Sequence, residues 1–158
     1  MNERIKINVL KKIANELNRM NVTWSLGASM LLYFKGIIKE FKDIDLMVVD
    51  KDIDLAIKIL NHLGELQTSS LNSKYRTKVF LEYVIDEVDV DVMCGFSIMN
   101  KDTLIDCSLN KEQIVEFYDL DGVKIPLQSV SLWRHYYELM GRDDRVDMIK
   151  NSIRRSIK

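Results

Sequence analysis

The sequence predicts an α+β fold: a mixed β-sheet flanked by helices, with a short helical segment at its C-terminal end. Three observations predict it. An amphipathic helical period opens the chain. Short β-prone runs then alternate with helical stretches. Two hairpin patterns follow in the second half, before helical spacing returns. The order α-β-α-β-α, then antiparallel strands, then helices suits a mixed sheet better than a doubly wound parallel one.

Each element has a local reason. Ile5, Val9, Leu10, Ile13, Leu17 and Met20 recur at three- and four-residue steps with charges between them, predicting a helix over about 3–20. Val22 to Leu26 is β-prone and runs into Gly27, and Met30 to Phe34 reads as a short helix closed by Gly36. Asp43 to Val49 reads as a strand with its polar residues at one end. Residues 51–63 return to helical spacing, and the polar, Ser-rich stretch 65–77 reads as a loop or edge strand. Lys78–Val84 and Val88–Met93 flank Asp86-Glu87 as a hairpin. Ile114–Tyr118 and Val123–Ile125 flank Asp121-Gly122, which supplies a tight turn. Residues 94–113 fit no single pattern. Ser129 caps a final helical region that Gly141 divides in two.

A chain of 158 residues, 47% of them apolar, buries a core without staples. The expected organisation is a core over 1–126 and a helical appendage over 127–158 packed on it. The 23 basic and 24 acidic residues nearly cancel, which argues against a nucleic-acid binder working through bulk charge. Cys94 and Cys107 are too few for a disulfide scaffold and read as reduced thiols, as in a cytoplasmic protein. With only His62 and His135 besides, no thiol–imidazole metal site is implied. The first residues lack a signal-peptide pattern, and no apolar run reaches the roughly 18 residues of a membrane span.

The tetrapeptide Lys-Asp-Ile-Asp occurs twice, at 42–45 and 51–54. Before the apolar run Leu46–Val49, Asp43 and Asp45 belong to a strand, where residues two apart share a face. Asp52 and Asp54 lead into a helix and suit its dipole. Side-by-side carboxylates repel, so Asp43 and Asp45 mark either a solvated strand end or a cation site. Val88-Asp89-Val90-Asp91-Val92 alternates strictly, so its aspartates share one face. That face is either a solvent edge or the partner of Asp43 and Asp45 across the sheet, where hard oxygen ligands from two strands would hold Mg²⁺. Upstream, Gly27-Ala28-Ser29 forms a small-residue strand-to-helix turn, which lets backbone amides approach a phosphate.

These three parts, in this order, resemble the DNA polymerase β-type nucleotidyltransferases, whose signature is a Gly-Gly or Gly-Ser turn opening a helix, an Asp-x-Asp strand and a further Asp on a later strand. The stretches WSLGASMLLYFKG, KDIDLMV and VDVDVM are similar to those of small lincosamide and aminoglycoside nucleotidyltransferases. The tail Ile125-Pro126-Leu127, Ser129 and Met140-Gly141-Arg142 resembles the strand-plus-helix segment that follows their core, so the likeness spans about 5–150.

The resemblance implies transfer of a nucleoside monophosphate from an NTP donor to a hydroxyl of a small molecule or protein, with pyrophosphate leaving. It implies Asp43, Asp45 and Asp91 as catalytic and metal-binding residues for Mg²⁺, two ions being expected. Asp91 would complete the metal site or act as base, with Asp89 as the alternative third carboxylate. Gly27, Ala28 and Ser29 would bind the nucleotide. The alternative function is a non-catalytic nucleotide- or partner-binding module on the same fold, including a toxin or antitoxin component. The expected partners are the NTP and the acceptor, with a second copy of the chain as a candidate for closing the acceptor site; neither a membrane nor a nucleic acid is expected. His135, within Trp133–Tyr137, reads as part of a helix packing aromatics on the core, and His62 as a cap on the 51–63 helix. Arg142 and Arg145 beside Asp143 and Asp144 read as a mutually neutralising surface, although guanidinium also suits phosphate.

Overall fold

A computed structural model describes residues 3–67 and 78–157. The chain opens with α1 (Glu3–Arg19), whose buried stripe is Lys6, Val9, Leu10, Ile13, Ala14 and Leu17. This corrects the apolar pattern at both ends. Ile5 and Met20 are exposed, and a lysine occupies the stripe position one turn before Val9 and Leu10. Strand β1 (Trp24–Leu26), helix α2 (Ala28–Phe34) and strand β2 (Ile44–Val48) follow, so Asp43 lies one residue before the strand. A 3-10 turn at Asp50–Asp52 leads into α3 (Ile53–Leu63), and the carboxylate of Asp52 accepts from the Thr23 amide at 2.8 Å. The Asp52 that the sequence placed in a first helical turn thus also ties α3 to the start of β1.

Glu65–Leu66 form the short edge strand β3; the rest of the 65–77 stretch lies outside the described residues. Strands β4 (Val79–Ile85) and β5 (Val88–Cys94) form the expected hairpin, turning at Asp86 and Glu87 with φ of 49° and 70°. The ambiguous stretch 94–113 folds into a separate two-stranded sheet of β6 (Ser97–Asn100) and β7 (Thr103–Asp106), followed by a 3-10 turn at Lys111–Gln113. Strands β8 (Ile114–Leu120) and β9 (Val123–Gln128) turn at Asp121 and Gly122, both at positive φ. Helix α4 (Val130–Met140) starts where the Ser129 hydroxyl accepts from the Leu132 amide at 3.0 Å. It ends at Gly141 in the left-handed conformation, and α5 (Asp143–Ile157) follows.

Seven strands form the main sheet in the order β3-β4-β5-β2-β1-β9-β8. The β2–β5 and β1–β9 pairs are parallel and the others antiparallel, which makes the sheet mixed. One face carries Ile44, Leu46, Val48, Val90 and Val92, all buried. Trp24 shares that face, and its indole donates to Asn18 of α1 at 3.0 Å, so α1 covers it. The opposite face carries Asp45, Met47, Asp91 and Met93 and looks toward α4. Among the described residues, no helix is long and apolar enough to cross a membrane.

Trp133 of α4 is the largest group over that second face. Its indole donates to the fully buried Gln128 at 2.9 Å, and Phe96, Tyr136 and Tyr137 surround the ring. Gly27 exists to admit it. A Cβ at position 27 would lie 2.5 Å from a Trp133 ring carbon. Gly27→Ala is therefore expected to destabilise the protein by about 1–3 kcal/mol, the usual cost of overpacking. Urea unfolding measures this, and an unchanged midpoint would contradict the packing assigned to Gly27.

Candidate active site

Parallel pairing sets Asp45 of β2 directly opposite Asp91 of β5. Asp43 precedes Asp45 by two residues and Asp89 precedes Asp91 by two, and all four line one cavity of about 550 Å³. The β4–β5 hairpin adds Glu82, which pairs with Asp91 on its other side. Strand alternation alone does not single out Glu82; the hairpin does. A turn at Asp86-Glu87 fixes the register, and that register places residue 82 against residue 91.

The walls are of two kinds. Phe80, Met93, Phe96, Trp133, Tyr137 and Met140 supply apolar and aromatic surface. Lys42, Arg142 and Arg145 supply positive charge at the rim. Arg142 grips Asp144 through two bonds of 3.1 Å, as the surface-neutralisation reading expects, yet both arginines also border the cavity. His135 is exposed and does not line it. His62 is exposed too, its Nδ1 2.8 Å from the Lys58 carbonyl in the last turns of α3. Cys94 and Cys107 are buried and free.

Of the turn residues, Ala28 and Ser29 line the cavity and Gly27 does not. The Gly27 amide donates to the Asp45 carbonyl at 3.1 Å, which fixes the turn to the acidic strand. Ala28 holds φ at 54°, a left-handed conformation that costs an L-residue roughly 1–2 kcal/mol. Helix α2 has no side-chain cap, so no side chain competes for its first amides.

Burial and mutual repulsion push the acids in one direction. Asp45 lies well above the usual carboxylate range, through burial first and then the charges of Asp91 and Asp43. Asp91 is raised to about 7, by burial, then Asp43, Glu82 and Asp89. Asp43 is raised by burial and Asp89, partly offset by Lys42 and Lys6. Its Oδ1 is buried and has no hydrogen-bond partner. Among the described residues, no three His, Cys, Asp or Glu side chains are gathered so as to enclose a metal ion by themselves.

An Asp whose folded pKa is raised binds its proton more tightly in the native state than in the unfolded one. Its contribution to stability is then present below about 3.8 and is lost as pH rises toward about 7. In metal-free protein, NMR titration of the Asp91 carboxyl is expected to give a midpoint near 7, and Asp91→Asn to flatten the loss of stability across that window. A midpoint near 4 would contradict the crowding described.

No protein-family model matches the chain, and no curated protein sequence matches it. Solved structures do. A "putative nucleotidyltransferase" from Thermotoga maritima superposes with a TM-score of 0.72 at 21% identity, covering 98% of this chain and 96% of that one. ANT(2″)-Ia, solved with adenylyl-2″-tobramycin, gives 0.63 at 12% identity over 94% and 89%. The lincosamide antibiotic adenylyltransferase LnuA, bound to lincomycin, gives 0.56 at 14% identity over 95% and 97%. Its near neighbours in structure are thus the kinds of protein whose motifs its sequence resembles, and the chain has the nucleotidyltransferase fold.

Proposed function

We propose that this chain is a Mg²⁺-dependent nucleotidyltransferase that moves a nucleoside monophosphate from an NTP to a hydroxyl of a small molecule or protein. The observation that carries the reading is the in-register placement of Asp45 against Asp91, with Asp43 beside them, in one cavity. Like charges packed this way raise one another's pKa, and a divalent cation reverses that cost.

The donor set fits Mg²⁺. All the groups are hard carboxylate oxygens, and the buried Asp43 Oδ1 has no partner. Mg²⁺ commonly takes one or two carboxylates and completes its shell with water and substrate phosphates, so the protein need not enclose it alone. Asp43 and Asp45 are the assigned metal ligands. When bound, the metal would neutralise charge on the transferring phosphoryl group. Asp91 either completes that set or takes the acceptor proton, a task suited to a carboxylate that titrates near neutrality. Ala28 and Ser29 bring the start of α2 to the phosphates, and Gly27 holds their turn against Asp45. The half-buried Phe80 is the aromatic of the lining with surface to offer a base or an acceptor ring, while Phe96, Trp133 and Tyr137 pack on one another behind it.

The second reading, a non-catalytic nucleotide- or partner-binding module, draws on Ala28, whose methyl stands where the signature has Gly or Ser. Calorimetric titration with a non-hydrolysable ATP or GTP analogue separates the two. The transferase reading expects Mg²⁺ to tighten binding by tenfold or more. Asp45→Asn is expected to remove that gain. Tight binding indifferent to Mg²⁺ would favour the module and reject the metal role of Asp45.

A further inference from the structure

A second cavity, of about 480 Å³, adjoins the first; its lining residues are Glu3, Lys6, Glu40, Phe41, Lys42 and Arg145. Lys42 and Arg145 border both cavities, so a basic seam lies where the two adjoin. Lys6 is the unusual member. Its relative exposure is 9%, although lysine is almost never buried without a charged partner. Its Nζ donates to the Phe41 carbonyl at 2.8 Å and sits 5.2 Å from the Phe41 ring centre. An ammonium has three donors; the carbonyl takes one, and the charge of Lys6 offsets Asp43 only in part, since Asp43 stays raised.

Neither Lys6, Lys42 nor Arg145 closes an ion pair with another described residue, whereas Lys11, Lys12, Lys35 and Lys78 all do. Of the two glutamates in the lining, Glu3 is held by the Tyr33 hydroxyl at 3.1 Å and Glu40 is exposed. Three cations from α1, the loop before β2, and α5 thus converge on one space next to the acidic cluster. That space is larger than a single small anion requires.

We infer that this second cavity is a polyphosphate pocket, in which Lys6, Lys42 and Arg145 receive the pyrophosphate that leaves the main cavity. The inference rests on the transferase reading above. In that reaction a bond forms between the acceptor oxygen and the α-phosphorus, and the bond to the bridging oxygen breaks. The electron pair stays on that oxygen, so pyrophosphate departs as an anion, and the acceptor proton goes to a carboxylate of the cluster. Pyrophosphate leaving beside the acidic cluster then has an adjoining seat with three basic side chains against two glutamates. Guanidinium and ammonium groups suit its oxygens as charge-assisted donors.

The test is calorimetric titration of the full chain with inorganic pyrophosphate, and separately with orthophosphate, in Mg²⁺ buffer. Pyrophosphate is expected to bind at least tenfold tighter than orthophosphate. Lys42→Gln and Arg145→Gln, at positions open enough to leave folding intact, are each expected to weaken pyrophosphate about tenfold or more. Lys6 alone of the three is confined to the second cavity, so Lys6→Met, its fold checked by circular dichroism, is expected to weaken pyrophosphate about tenfold as well, and a folded Lys6→Met that binds it as the parent does overturns the pocket. If Lys42→Gln and Arg145→Gln bind pyrophosphate as the parent does, the pocket assignment is overturned, because the metal cluster alone would then hold the anion. Equal affinity for orthophosphate would also overturn it, marking a general anion site. If the variants lose pyrophosphate while no NTP shows Mg²⁺-dependent binding, the pocket stands and the transferase reading fails.

Discussion

The structure turns on the parallel pairing of β2 with β5. Two strands whose core-facing residues are Ile44, Leu46, Val90 and Val92 have no freedom to slip, because a one-residue shift would expose that whole set. The apolar face therefore fixes the register, and the register forces Asp45 beside Asp91 on the other side. Hydrophobic burial supplies the force that holds two like charges together. A sequence selected for stability alone would not place acids there, and the strain at Ala28 lies in the same cavity.

The rest of the molecule serves that pairing. Helix α1 covers the apolar face, while α4 lays Trp133 over the opposite face and closes the cavity from above. The Gly27 amide ties the α2 turn to the Asp45 carbonyl and so fixes that turn to the acidic strand. The fold brings basic groups from three distant points, Lys6, Lys42 and Arg145, to a second cavity beside the acidic one, where Glu3 and Glu40 also lie.

Much of this was legible in the sequence, for a physical reason in each case. The Val-Asp-Val-Asp-Val pattern is a strand periodicity and reported which residues share a face; Asp-x-Asp starts one residue before β2, yet Asp43 and Asp45 line the same cavity. Asp121-Gly122 announced its hairpin because left-handed backbone favours aspartate and glycine, whereas Asp86-Glu87 was legible only through the β-prone runs on either side. The β6–β7 hairpin was not legible. Its strands are four residues each, β7 is largely exposed, and its turn begins at Lys101, a residue with no turn signature. Lys6 was missed because periodicity counts apolar residues, and a buried lysine in the stripe is invisible to it; Ile5 was counted instead. The role of Gly27 in admitting Trp133 joins residues more than a hundred positions apart, which no local pattern carries.

The proposed function requires the acids at positions 43, 45 and 91 to hold a divalent cation together with a nucleotide. The most direct measurement is anomalous diffraction from crystals grown with Mn²⁺ and a non-hydrolysable NTP. An anomalous peak bounded by Asp43, Asp45 and the triphosphate, with Asp91 on the same side, is expected. A bound nucleotide with no metal at these carboxylates, or a metal held elsewhere in the chain, would contradict it.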